Sequence, residues 1–184
     1  MRCIVCREFG PPERLVLEQA PDPEPGPGEV LIGVRAAGVS FVDGLIIAGL
    51  YQVKPPLPFT PGLVVAGEVA GAGDGVRGLP TGSRVVGWSL GLGGYASHRV
   101  LPAQAVVPLP QAVSFEVAAT AVEGYATMLF ALTRRASLRP GEWVLVLGAG
   151  GGIGLAAVAP TWTRSTSTAA PSPSAILSGP AEPG

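Results

Sequence analysis

Apolar residues in the first 110 positions fall into short β-type runs separated by turns rich in Gly and Pro. The runs at 1–7, 15–19, 29–36, 64–71, 84–88, 95–101 and 105–107 predict seven strands. Between them lie PDPEPGPGEV, PPLPFTPG and GLPTGSRV, segments that carry turn chemistry and no apolar period. Strands this short and this evenly spaced predict a compact, barrel-like β domain. The one helical interruption is at 40–49, where Val39, Val42, Leu45 and Ile46 recur at helix spacing.

After residue 113 the period changes. Ser114 followed by Phe115, Glu116 and Val117 has the form of a helix N-cap with an early acidic residue. A second helical segment is expected from 123 to 133, and Pro140-Gly141 marks a turn. Trp143–Val158 then reads WVLVLGAGGGIGLAAV: a strand at 144–147, a glycine-rich turn from Gly148 to Gly154, and an Ala/Leu helix start. Such a turn brings backbone N–H groups to a dinucleotide pyrophosphate, although glycine-rich turns also serve packing alone. From 159 the chain is dominated by Pro, Ser, Thr and Ala, and disorder is expected to its last residue. The expected organisation is therefore 1–113, a mostly β domain; 114–158, helices and an incomplete α/β start; and 159–184, a disordered tail.

Composition narrows the class. The formal net charge is −1 and 14% of residues are charged, so no basic face for nucleic acid is implied. The 27 glycines and 20 prolines mostly punctuate the strands, so the body is expected to fold. Cys3 and Cys6 have C-x-x-C spacing but lie in a β-type run, where residues three apart face opposite sides. They read as structural thiols rather than a metal or redox pair. Trp143–Ala159 is uncharged over 17 residues. As a helix it would reach only about 26 Å, short of a bilayer core of about 30 Å. No membrane span is expected there. With no N-terminal signal pattern, a reducing, cytoplasmic setting is expected.

Four segments in order, 36–62, 94–110, 114–119 and 138–158, resemble the quinone oxidoreductase branch of the medium-chain dehydrogenase/reductase superfamily. The resemblance covers about residues 1–158. It implies a GroES-like N-terminal domain followed by a Rossmann domain that binds NADPH. It further implies hydride transfer to quinones or enone-like carbonyls, and a possible homodimer. By this resemblance, Gly148, Gly151, Gly152, Ile153 and Gly154 are the cofactor-binding loop, spaced as the family's AxxGxxG form.

The resemblance also implies that the site lacks zinc. Ser40 stands where related alcohol dehydrogenases have a ligand Cys, and Leu63 and Val64 where they have His-Glu. A zinc site needs three or four converging N, S or carboxylate ligands. Ser40, Tyr51 and Thr127 match positions lining the family's substrate and nicotinamide cleft, with Ser40 replacing an Asn. Tyr51 also reads as a core or loop aromatic, and Thr127 as an ordinary helix-face threonine. Asp43 reads as a structural carboxylate, His98 as a strand side chain, and Arg134-Arg135 as a solvated helix end. Because the later Rossmann units are absent from this sequence, the chain is expected to be truncated and inactive alone. The alternative is a non-catalytic interaction module that pairs with full-length subunits.

Overall fold

The computed structural model describes residues 1–139 and 141–159. All seven expected strands form: β1 (Arg2–Val5), β2 (Val16–Gln19), β3 (Glu29–Ala37), β4 (Val64–Ala72), β5 (Arg84–Trp88), β6 (His98–Pro102) and β7 (Val106–Pro108). β1 and β2 make an antiparallel ribbon, with Arg2 opposite Gln19 and Val5 opposite Val16. The other five form one sheet in the order β6-β3-β4-β5-β7, every neighbouring pair antiparallel. Register shifts at Leu31/Ile32 and Val34/Ala36 bend β3, because an unpaired residue on one strand increases local twist. The fold is mostly β, built on a curled sheet.

Alternation decides what that sheet buries. Val30, Ile32, Val65, Val69, Val85, Leu101 and Val106 point to one side and make the first core cluster. Val64 and Ala66 point to the other, where they join Ile46, Leu63, Val86, Ala118 and Ala119. β4 is thus covered on both faces, which explains its run of consecutive apolar residues. The second face is closed by α1 (Phe41–Ile47) and by α2 (Phe115–Leu129). Gly38 permits the approach of α2, since a Cβ there would lie 2.4 Å from the Ala119 carbonyl oxygen.

Several expectations are corrected. The two helical segments expected after Ser114 are one α-helix, α2, that continues as a π-helical stretch over Phe130–Arg135. Glu123-Gly124 does not interrupt it. A mid-helix glycine costs only about 1 kcal/mol against Ala, and Ala118 and Ala119 hold the helix on the sheet. By length and composition, the 21 residues Phe115–Arg135 are long and apolar enough to cross a membrane. Cys3 and Cys6 are both buried and free, as structural thiols would be. β1 ends at Val5, so Cys6 leaves the alternation and its amide donates to the Phe59 carbonyl at 2.7 Å.

The chain divides into two compact units, Met1–Ala126 and a second beginning at Thr127, with α2 running across the boundary. In the second unit the strand expected at 144–147 does not form. Residues 142–146 carry no regular secondary structure and 147–150 turn. A strand needs a neighbour for its N–H and C=O groups. None of the backbone N–H groups from 143 to 147 has a backbone partner among the described residues. α3 (Gly152–Val158) follows as expected. The disorder expected for the tail falls, beyond residue 159, outside the described residues.

Candidate functional site

The best-built polar centre of the first unit starts at the N-terminus of α1. Ser40 is the N-cap, with extended backbone, and it forms a reciprocal capping box with Asp43. The Ser40 amide donates to Asp43 Oδ2 at 2.8 Å, and the Ser40 hydroxyl donates to the same oxygen at 3.0 Å. The Asp43 amide donates back to Ser40 Oγ at 3.4 Å. As expected, Asp43 is a structural carboxylate bonding nearby backbone. It is also only 2% exposed, and its second oxygen, Oδ1, has no hydrogen-bond partner.

Three charged or polar side chains from other elements face this carboxylate. Arg99 of β6 is 3% exposed and donates to the carbonyls of Leu63 at 2.9 Å and Ser89 at 3.1 Å, which leaves Nε unpartnered. Burial pulls its guanidinium down from the usual arginine value, and the Asp43 charge opposes that pull. The Tyr95 hydroxyl is likewise buried without a partner. Burial pushes it well above the usual phenol range, with the neighbouring Asp43 charge adding to the effect. Glu123 of α2 is half-buried and faces both Ser40 and Asp43. Burial, then the Asp43 charge, raises its carboxyl, while the Ser40 hydroxyl offsets part of the rise.

Of the three expected cleft residues, the structure places Ser40 in this centre. Tyr51 lies just past the other end of α1, half-buried against the second core cluster, as a loop aromatic would be. Thr127 is exposed and is the first residue of the second unit. Sequence reasoning did not single out Arg99, Tyr95 and Glu123. One signal was present: in HRVLP, strand alternation puts Arg99 on the same face as Leu101, which is a core residue. Leu63 and Val64 lie in the second core cluster, and no group of three or more potential metal ligands occurs among the described residues.

The glycine turn belongs to the second unit. Gly148 has φ +73°, a conformation open to glycine, and a Cβ on Gly154 would lie 2.2 Å from the Gly148 carbonyl oxygen. Those two glycines are required by the turn itself. Around Gly150 and Gly152 there is open space. The Gly151 amide is spent on the Gly148 carbonyl at 3.0 Å. The amides of Gly152, Ile153 and Gly154 open α3, whose N-cap supplies no side chain to them. Beside the turn runs a trough of about 540 Å³ lined mainly by Met128, Leu132, Val144–Leu147 and Ile153.

Residues 26–111 match the family described as the alcohol dehydrogenase GroES-like domain. Over 150 residues, 81% of this chain, the sequence is 43% identical to the quinone oxidoreductase of Rattus norvegicus and covers 46% of that protein. It is 40% identical over 149 residues to a quinone oxidoreductase-like protein 2 homolog of Nematostella vectensis, covering 80% of this chain and 40% of that protein. Among solved structures, Escherichia coli quinone oxidoreductase complexed with NADPH aligns with a TM-score of 0.77 and 34% identity. That alignment covers 85% of this chain and 48% of the other. The chain spans less than half the length of each of these relatives.

Proposed function

We propose, for a chain whose N-terminal domain belongs to the alcohol dehydrogenase GroES-like family and whose relatives are quinone oxidoreductase-like proteins of the medium-chain dehydrogenase/reductase superfamily, a part in zinc-independent reduction of quinones or enone-like carbonyls by NADPH. The observation that carries this reading is the glycine turn. Gly148 and Gly154 set its path, and the amides of Gly152, Ile153 and Gly154 point out from the start of α3 with open space at Gly152. That arrangement suits an anionic pyrophosphate, which backbone N–H groups bind at a helix start. NADPH, when bound, supplies the hydride. Ser40 and Tyr51 supply the acceptor side, where a hydroxyl donor stabilises a developing oxyanion.

These residues do not make a complete dinucleotide site. Among the described residues there is no second strand beside 143–147 and no group placed for the adenosine. The chain by itself is therefore proposed to be inactive or nearly so. Joining it after Val158 to the C-terminal half of the rat relative should restore NADPH-dependent quinone reduction. A joined protein that folds and binds NADPH but reduces neither quinone nor enone would overturn the assignment of the acceptor side. The proposed setting is the cytoplasm, and elemental analysis should find no stoichiometric zinc.

One observation favours a second reading. Leu145 and Leu147 are 86% and 85% exposed, and the backbone N–H groups of 143–147 have no backbone partner among the described residues. Such a segment suits a non-catalytic chain that pairs with full-length subunits. Co-purification with a full-length subunit, lost in Leu145→Asp, would support that reading; a monodisperse chain that never co-purifies would reject it.

A further inference from the structure

Residues 134–138 read RRASL: arginines stand three and two positions before Ser137, and an apolar residue follows it. A kinase that selects basic segments pairs its own carboxylates with arginines at those two positions and seats the next side chain in an apolar pocket. Arg164 stands three positions before Ser167, but without a second arginine after it. Ser137 alone in the sequence has both arginines.

The structure puts that serine within reach of an enzyme. α2 runs into the π-helical stretch Phe130–Arg135, Ala136 is the C-cap, and Ser137 follows with φ +52°. Arg134, Arg135 and Ser137 are all exposed, and among the described residues the Ser137 hydroxyl has no hydrogen-bond partner. The Arg135 guanidinium rests on the Phe130 ring, 5.4 Å from its centroid. A kinase takes its substrate extended, so this helix end must open. Two backbone bonds hold it, from the Ala136 amide to the Ala131 carbonyl at 2.8 Å and from the Leu138 amide to the Leu132 carbonyl at 2.9 Å. A π turn is a rarely sustained form, and serine in the left-handed region is strained, so this is the end of the helix that opens first.

We propose that Ser137 is a phosphorylation site for a serine/threonine kinase of the arginine-directed class, and that its phosphate weakens the attraction of this unit for anions. In the transfer, Ser137 Oγ bonds to the γ-phosphorus of ATP and the bond from that phosphorus to the ADP oxygen breaks. The hydroxyl proton passes to a carboxylate of the kinase. Residues 127–158 carry Arg134, Arg135 and Arg139 against Glu142, a net charge of +2. A phosphoserine brings about −1.5 to −2 at neutral pH, which nearly cancels it. Leu132, bonded to the Leu138 amide, lines the trough together with Gly148, Gly151 and Gly152, so the new charge stands beside the glycine turn. The effect on anions rests on the proposed function of that turn, whereas the phosphorylation does not.

The intact chain, incubated with ATP and the catalytic subunit of cyclic-AMP-dependent protein kinase, should take stoichiometric phosphate at Ser137, located by mass spectrometry of its peptides. Circular dichroism before and after checks that the chain stays folded. Arg134→Gln and Arg135→Gln should each slow the reaction about tenfold or more, as the loss of a charge-assisted contact does. Ser137→Gly, which suits the left-handed backbone and so keeps the fold, should take no phosphate in this segment. A folded chain that takes no phosphate, or takes it only at Ser167 or another hydroxyl, overturns the site. Unchanged rates in both arginine variants overturn the charge reading. The effect is measured by titrating inorganic pyrophosphate into both forms at low salt. The unmodified chain should bind several-fold more tightly, and the difference should shrink as salt is added. Equal affinities at low salt overturn the effect on anions. Pyrophosphate ignored by both forms overturns the reading of the glycine turn as well, while the mass spectrum decides the site by itself.

Discussion

Asp43 concentrates three demands on one side chain: it caps α1, accepts the Ser40 hydroxyl, and balances the buried Arg99. Asp43→Ala should therefore cost at least as much as an ordinary lost cap, about 1 kcal/mol, because the half-buried Ser40 hydroxyl and amide lose their acceptor as well. Asp43→Asn should regain only the capping part, on the order of 1 kcal/mol; denaturant unfolding measures both. Glu123 gives a pH signature of definite sign. Its carboxyl is raised in the folded protein, so the unfolded chain releases that proton first. The stability it contributes is full below the ordinary glutamate value and is lost as pH rises through the folded value. Unfolding midpoints of the wild type and Glu123→Gln, compared from pH 4 upward, should diverge in that direction. None of this network was legible as chemistry in the sequence. Ser40 and Asp43 are three apart and can be read as a cap, but Tyr95, Arg99 and Glu123 reach them only through the sheet and α2. Their meeting is tertiary.

At the scale of elements, period carried most of the information. β3 and β6 alternate and β4 is apolar on both faces, so strands packed as a sheet were readable before any contact was known. The segment 143–147 shows the limit of that reading. Its β-type residues are a strand only when another strand lies beside it, and none does among the described residues. α2 shows the converse, where packing of Ala118 and Ala119 belongs to one helix that runs on through residue 123, where a second segment was expected to begin. Two glycines separate steric need from freedom. Gly38→Ala would drive a Cβ to 2.4 Å from the Ala119 carbonyl oxygen, so α2 must shift, with a loss of about 1–3 kcal/mol. Gly44→Ala, inside α1 with nothing within 4 Å, should instead stabilise by about 0.5–1 kcal/mol. Thermal unfolding of the two variants should move in opposite directions.

For the whole molecule, the first unit has a closed double core, while the second offers a glycine turn, a short helix and an apolar trough. NADPH titrated into the chain is expected to bind weakly at best, since three amides can meet a pyrophosphate but, among the described residues, no second strand stands beside the turn to complete a dinucleotide crevice. Saturable micromolar binding with quinone turnover would show the site to be complete as it stands. The amides of residues 143–147, without a backbone partner among the described residues, carry a further consequence, one of time rather than affinity. An amide exchanges its hydrogen with solvent at a rate set by how often its hydrogen bond opens. Those of β3 and β4, bonded on both sides within the sheet, should keep their protons in deuterated water until the first unit opens as a whole. Among the described residues, those from 143 to 147 have no backbone bond to open. One chain should thus label on two clocks, with the segment that leads into the glycine turn deuterated while the sheet is still protonated.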